Sequence, residues 1–159
     1  MNYNALTFYL GCISAFVIII QLYLVYKTYK ADHERRMKQA TIESGSQIGE
    51  LAQLYSKKIY EKFGNRVINV ADLDDDSYKY IRKFLSHIEI LSVGVNTGVY
   101  DLNIVNRMFG TYLLAMKKRI EPYMAEYLKN KQSKTVFSEY LYLCDKIKEL
   151  REKKQGVCP

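Results

Sequence analysis

The stretch Tyr3–Tyr26, YNALTFYLGCISAFVIIIQLYLVY, carries no Asp, Glu, Lys, Arg or His over 24 residues. As an α-helix it would reach about 36 Å at ~1.5 Å per residue. That is enough to cross a hydrocarbon core of about 30 Å with some tilt. A cleaved signal peptide wants a basic start, a short apolar core and a small-residue cleavage site. Here no Lys or Arg precedes the run, which ends in Tyr23, Val25, Tyr26 and Lys27. A core helix of a small soluble domain rarely lacks charge over such a length. Residues 1–26 therefore read as a transmembrane anchor, and the rest of the chain as a domain held at a membrane surface.

The flanks set the expected orientation. Lys27, Lys30, Arg35, Arg36 and Lys38 come after the span, opposed by Asp32 and Glu34. Bases close to a span favour the cytoplasmic side, so the reading is a single-pass inner-membrane protein with its N-terminus outside and its C-terminal domain cytoplasmic. Tyr3, Phe8 and Tyr9 at one end, and Tyr23, Tyr26 and Tyr29 at the other, suit aromatic belts at the two interfaces. Gln21 sits near enough to an interface to meet headgroup water. Residues 27–46 read as a basic juxtamembrane helix and hinge. Its five bases are candidate lipid-headgroup contacts, each worth about 1 kcal/mol near an anionic surface. Ser44-Gly45-Ser46 is the expected hinge, or a cap for the next helix.

Beyond the anchor about 130 residues remain, which suits one domain. The whole chain has 15 Tyr, 6 Phe and no Trp, with a net charge of +7. A basic balance fits nucleic acid, anionic lipid, or the bias of a membrane-proximal protein. Cys12, Cys144 and Cys158 form no disulfide framework, and no Cys/His spacing suggests zinc; His33 and His87 stand far apart. No metal and no cofactor are expected.

Residues 47–154 read as a helical domain of several periodic stripes joined by loops. Ile48, Leu51, Leu54, Tyr55, Ile59 and Phe63 form a first stripe, stopped by Gly64-Asn65. Arg66 to Leu73 reads as extended chain or loop. Asp72, Asp74, Asp75 and Asp76 lack the Gly and the closing Glu of a calcium loop, and read as the start of a helix. That helix buries Tyr78, Ile81, Leu85, Ile88, Leu91 and Val95, with Glu89 at the stripe's edge. Gly94 to Asp101 reads as a helix–loop–helix corner. Leu102, Val105, Phe109, Leu113, Met116 and Ile120 make the next stripe, with Lys117, Lys118 and Arg119 as a basic patch or a charged last turn. Pro122 is expected to break or kink the helix, although Tyr123, Met124, Tyr127 and Leu128 keep its register. Asn130 to Lys134 is a linker, and Ser133 or Thr135 is the expected cap of a last helix burying Phe137, Tyr140, Leu141, Cys144, Ile147 and Leu150. Residues 155–159 are a frayed tail. The expected fold is all-α: one transmembrane helix, then a small cytoplasmic bundle of about four helices.

The run from Arg82 to Val95, RKFLSHIEILSVGV, resembles a bacterial family known as domain of unknown function 4760. The match continues through Asn96, Thr97, Gly98, Val99, Tyr100 and Asp101 to Asn106, Arg107, Gly110 and Pro122-Tyr123, within residues 45–150. Members commonly place a transmembrane helix ahead of a cytoplasmic helical domain. Many carry an aromatic residue before the Pro-Tyr pair and an Arg after it; this chain has Met116 and Lys129 or Lys131 in those neighbourhoods. The resemblance implies fold and topology but no activity, and by analogy a prophage or defence setting.

Three functions fit these readings. One is a non-catalytic, membrane-anchored interaction module in an inner-membrane complex, in phage defence or superinfection exclusion, with a protein partner or a second copy. Another is a tethered nucleic-acid-binding protein using Lys117, Lys118 and Arg119. The third is an enzyme built on Glu89, Asn96, Gly98, Asp101 and Arg107 around the Gly-rich corner.

Overall fold

The structure, a computed structural model, describes residues 3–130 and 136–155. Among them are five α-helices and no strand: α1 (Tyr3–Ala40), α2 (Ser46–Phe63), α3 (Asp75–Asn96), α4 (Leu102–Asn130) and α5 (Ser138–Gln155). A π-helical turn, Thr41–Gly45, separates α1 from α2, and a 3-10 turn, Val70–Asp72, precedes α3. By their contacts the residues fall into two units, Met1–Arg36 and Met37–Pro159.

The first unit is a lone helix. Each described side chain from Tyr9 to Arg36 is exposed. By length and composition this helix can cross a membrane, and no part of its apolar window is buried by protein. Two of its hydroxyls bond to the backbone: Ser14 donates to the Leu10 carbonyl and Thr28 to the Leu24 carbonyl, both at 2.9 Å. Backbone-bonded hydroxyls of this kind are tolerated in hydrocarbon. The expected belt residues Tyr3 and Phe8 lie outside the described side chains.

The second unit is the bundle. The α3 stripe is buried as its periodicity demands, from Ile81 through Leu85, Ile88 and Leu91 to Val95, with Phe84 added. The α4 stripe, Val105, Phe109, Leu113, Met116 and Ile120, is buried too. Asp74 caps α3 by accepting the Ser77 N–H at 3.0 Å. The Lys62 ammonium beside it, with that N–H, holds its carboxyl well below the usual carboxylate range. Gly64 ends α2 at φ +60°, with its N–H on the Tyr60 carbonyl. The loop after it is anchored by Ile68, whose side chain is buried and whose N–H reaches the Arg119 carbonyl at 2.9 Å.

Three local expectations are corrected. Leu51 and Leu54 are 44% and 51% exposed, and α2 instead turns Gly49, Ala52, Ser56, Ile59 and Phe63 inward. The rings of α4 decide this. Phe109 lies so close to Gly49 that a Cβ there would overlap it, and Tyr112 donates to the Ala52 carbonyl at 2.8 Å. Only small residues admit that approach, so the leucines face out. Ser44-Gly45-Ser46 forms no cap and does not interrupt the helical path: Gly45 and Ser46 keep helical dihedrals and no capping bond forms. The weak helix formers are carried as a π turn, which swings Thr41 into a buried position. Pro122 does not break α4, which runs through it, and Ile120, Tyr123 and Met124 are buried on both sides of it. Helix α5 begins at Ser138, with Phe137 ahead of it at φ +69°. The expected caps Ser133 and Thr135, residues 131–134 of the linker, and residues 156–159 of the tail lie outside the described residues.

Gly49→Ala is expected to lower the melting stability of the protein by about 1–3 kcal/mol, the usual cost of overpacking. Gly11→Ala, with open space around it, should leave the melt unchanged. Equal melts for the two variants would show that Phe109 moves aside.

Candidate functional site

The residues singled out around the Gly-rich corner separate into two groups. Glu89 and Asn96, seven residues apart on α3, both serve the start of α5. The Glu89 carboxylate accepts the N–H of Tyr140 at 3.1 Å and of Glu139 at 3.3 Å. Asn96 Nδ2 donates to the Glu139 carbonyl at 3.2 Å and to its carboxylate at 2.7 Å. The first N–H groups of a helix have no partner within it, and α5 receives one from another helix. Burial pushes the Glu89 carboxyl above its usual range, and the two N–H bonds counter this only in part. No ion pair joins Glu89 to a base among the described residues.

Asp101 belongs to the second group. Its carboxylate caps α4, accepting the N–H of Asn103 at 2.7 Å and of Ile104 at 3.1 Å. Its own N–H donates to Thr41 Oγ1 at 2.6 Å, and Thr41 donates onward to the Met37 carbonyl at 2.8 Å. The corner between is shaped by two glycines. Gly98 stands at φ +77°, and Gly94 has no room for a Cβ beneath the Tyr100 ring. The Gly94 carbonyl accepts both the Val99 and the Tyr100 N–H. Arg107 is exposed on α4 and joins neither group. The five residues therefore do not converge on one catalytic centre: Glu89 and Asp101 accept N–H groups at helix starts, Asn96 donates to Glu139, Gly98 makes the turn, and Arg107 stands apart.

The basic run on α4 is also divided. Lys117 pairs with Asp145 of α5 at 3.1 Å and is only 18% exposed. Arg119 donates to the Gly64 carbonyl and lies over the Tyr60 ring, 5.4 Å from its centroid. Burial lowers its pKa. Lys118 faces a hollow of about 540 Å³ with Leu114, Glu121 and Lys148. No group of three or more His, Cys, Asp or Glu side chains able to hold a metal stands among the described residues. Lys27, Lys30, Arg35, Arg36 and Lys38 are exposed, Arg36 pairing with Asp32 at 2.8 Å.

Sequence reasoning missed a second feature of α3. Tyr78, Tyr123, Tyr127 and Phe137 form a ladder of rings with centroid separations of 5.4, 6.0 and 5.3 Å. A hollow of about 370 Å³ opens between Arg82, Ser86, Glu89, Tyr127 and Phe137. A second, of about 340 Å³, shares Arg82 and Ser86 and runs on past Tyr78, Lys79 and Lys83. The spacing of Lys79, Arg82, Lys83 and Ser86 on one helical face was the available signal.

The family model described as "Domain of unknown function (DUF4760)" matches residues 12–147, from within the apolar segment to the middle of α5. No curated protein and no solved structure matches the chain.

Because Glu89 binds a proton more readily folded than unfolded, it costs stability as pH rises through its raised pKa and costs none below the ordinary carboxylate range. Glu89→Gln removes that titration and should flatten the fall across that window, while its carboxamide keeps an acceptor oxygen for only one of the two N–H groups. Glu89→Ala, which strips the α5 cap, should cost about 1 kcal/mol. An unchanged pH dependence in Glu89→Gln would show that another group sets it.

Proposed function

Because the chain belongs to the DUF4760 family, a domain whose function is not defined, we propose its role on physical grounds: it is a membrane-anchored helical interaction module that works without catalysis. The observation that carries this reading is the N-terminal part of α1, apolar as far as Tyr26 and, among the described side chains from Tyr9 onward, covered by no protein side chain. A helix of that kind needs a second apolar phase, and a bilayer supplies one. The bases from Lys27 to Lys38 orient it with the bundle on the cytoplasmic side of the inner membrane. The bundle then presents a rigid helical surface to a partner in the same complex, a second copy or another protein, in a setting such as phage defence. The catalytic alternative is weakened because the Glu89 carboxylate is spent on the α5 backbone. The nucleic-acid alternative at Lys117–Arg119 is weakened because two of its three cations are held internally.

Membrane fractionation tests the anchor. The full-length chain should stay in the pellet through alkaline carbonate, and Phe16→Lys with Ile20→Lys should release it. Each such lysine costs about 2.5–3.5 kcal/mol at the centre of a span. A wild-type chain that washes off in carbonate would remove the reading. Cross-linking in the native membrane that yields one discrete larger species supports the module; a wholly monomeric chain counts against it.

A further inference from the structure

We propose that the outer face of α3 between Tyr78 and Glu89 binds a nucleoside phosphate. Three observations meet there. Lys79, Arg82 and Lys83 occupy one and a half turns of a single face, all exposed. None has a carboxylate within 4 Å among the described residues, unlike Lys62 and Lys117, which are paired. Lys83 leans over the Tyr55 ring at 5.3 Å and keeps its charge at the rim. Beside these cations stand three rings of the ladder, Tyr78, Tyr127 and Phe137, which line the two hollows, while Tyr123 is buried; the hollows share Arg82 and Ser86. The one carboxylate in the groove, Glu89, has its oxygens turned onto the Tyr140 and Glu139 N–H groups.

The chemistry of the ligand is set by that juxtaposition. Lysine and arginine donors without a carboxylate suit phosphate oxygens, and Arg82 can bind them in bidentate fashion. A neighbouring ring wall suits a flat aromatic body, because a base stacks on such a wall whatever its identity. A bare phosphate would leave the ring wall uncovered, and a bare nucleoside would leave the cations unmatched. A nucleoside phosphate uses both. The site stands on the bundle alone and does not depend on the anchor being in a membrane.

Titration calorimetry of the full-length protein in mild detergent tests this, with the four nucleoside monophosphates, adenosine and inorganic phosphate as ligands. At least one monophosphate should bind about tenfold tighter than either half, since each half makes only part of the contacts. Arg82→Gln combined with Lys79→Gln should weaken it by about tenfold or more through lost charge-assisted bonds. Lys118→Gln, on the separate hollow of α4, should not. Both α3 side chains are exposed, so an unchanged melt of that double variant shows that the fold is kept. Any of three results would overturn the proposal. One is no binding of any monophosphate up to about 1 mM, a weak-affinity ceiling of roughly 4 kcal/mol. Another is an equal loss in Lys118→Gln, the mark of unspecific charge. The last is a single-stranded oligonucleotide that binds far tighter with a steep salt dependence, which would assign the face to nucleic acid.

Discussion

Burial of the α3 stripe governs the rest of the bundle. Ile81, Phe84, Leu85, Ile88 and Leu91 are almost wholly removed from water, and at about 1.5–3 kcal/mol per side chain their transfer is the largest local driving force. Covering them takes helices on more than one side. α2 lies along one flank and α5 along another, and α4 closes the core through Val105, Leu113 and Ile120. The strip left over is the outward face of Lys79, Arg82 and Lys83. What α3 cannot bury among its neighbours is therefore also what it can offer to a ligand.

Polar ties between distant segments lock that arrangement. Glu89 and Asn96 hold the first turn of α5, and Asp101 with Thr41 joins the α3–α4 corner to the turn that ends α1. Tyr140 donates to the Leu113 carbonyl at 2.7 Å from a buried position, and burial raises its phenol well above the ordinary value. Arg151 clasps Asn106 Oδ1 at 2.9 Å and Thr111 Oγ1 at 3.0 Å, over Gly110, where a Cβ would collide with the Arg151 and Asn106 side chains. Buried groups need such partners because an unmet donor or acceptor costs about 1–3 kcal/mol. Residues that look chemically ready in the sequence are consumed this way. Cys144 is a further case: burial pushes its thiol up to about 11, far from a reactive thiolate.

The two units divide the physical problem. Residues up to Arg36 meet their environment as a lone helix, largely apolar, while the chain from Met37 onward builds its own core. Among the described side chains, burial is strong in the second unit and absent from Tyr9 to Arg36.

The sequence by itself determined the helices and most of their buried stripes, because a 3.6-residue period of large apolar side chains has few other solutions. It also determined the caps at Asp74 and Asp101 and the stop at Gly64, where local backbone chemistry decides the outcome. Tertiary structure decided whatever depends on a neighbour. The rings of Phe109 and Tyr112 turned α2 so that Gly49 and Ala52 face in and Leu51 and Leu54 face out. α4 runs through Pro122 with buried side chains on both sides, and the approach to α2 passes through a π turn. The partners of Glu89 lie about fifty residues away, and the rings of the α3 groove come from three separate segments. Side-chain period is a property of one helix, whereas a site is made by the faces that several helices leave uncovered, and only their packing together decides which faces those are.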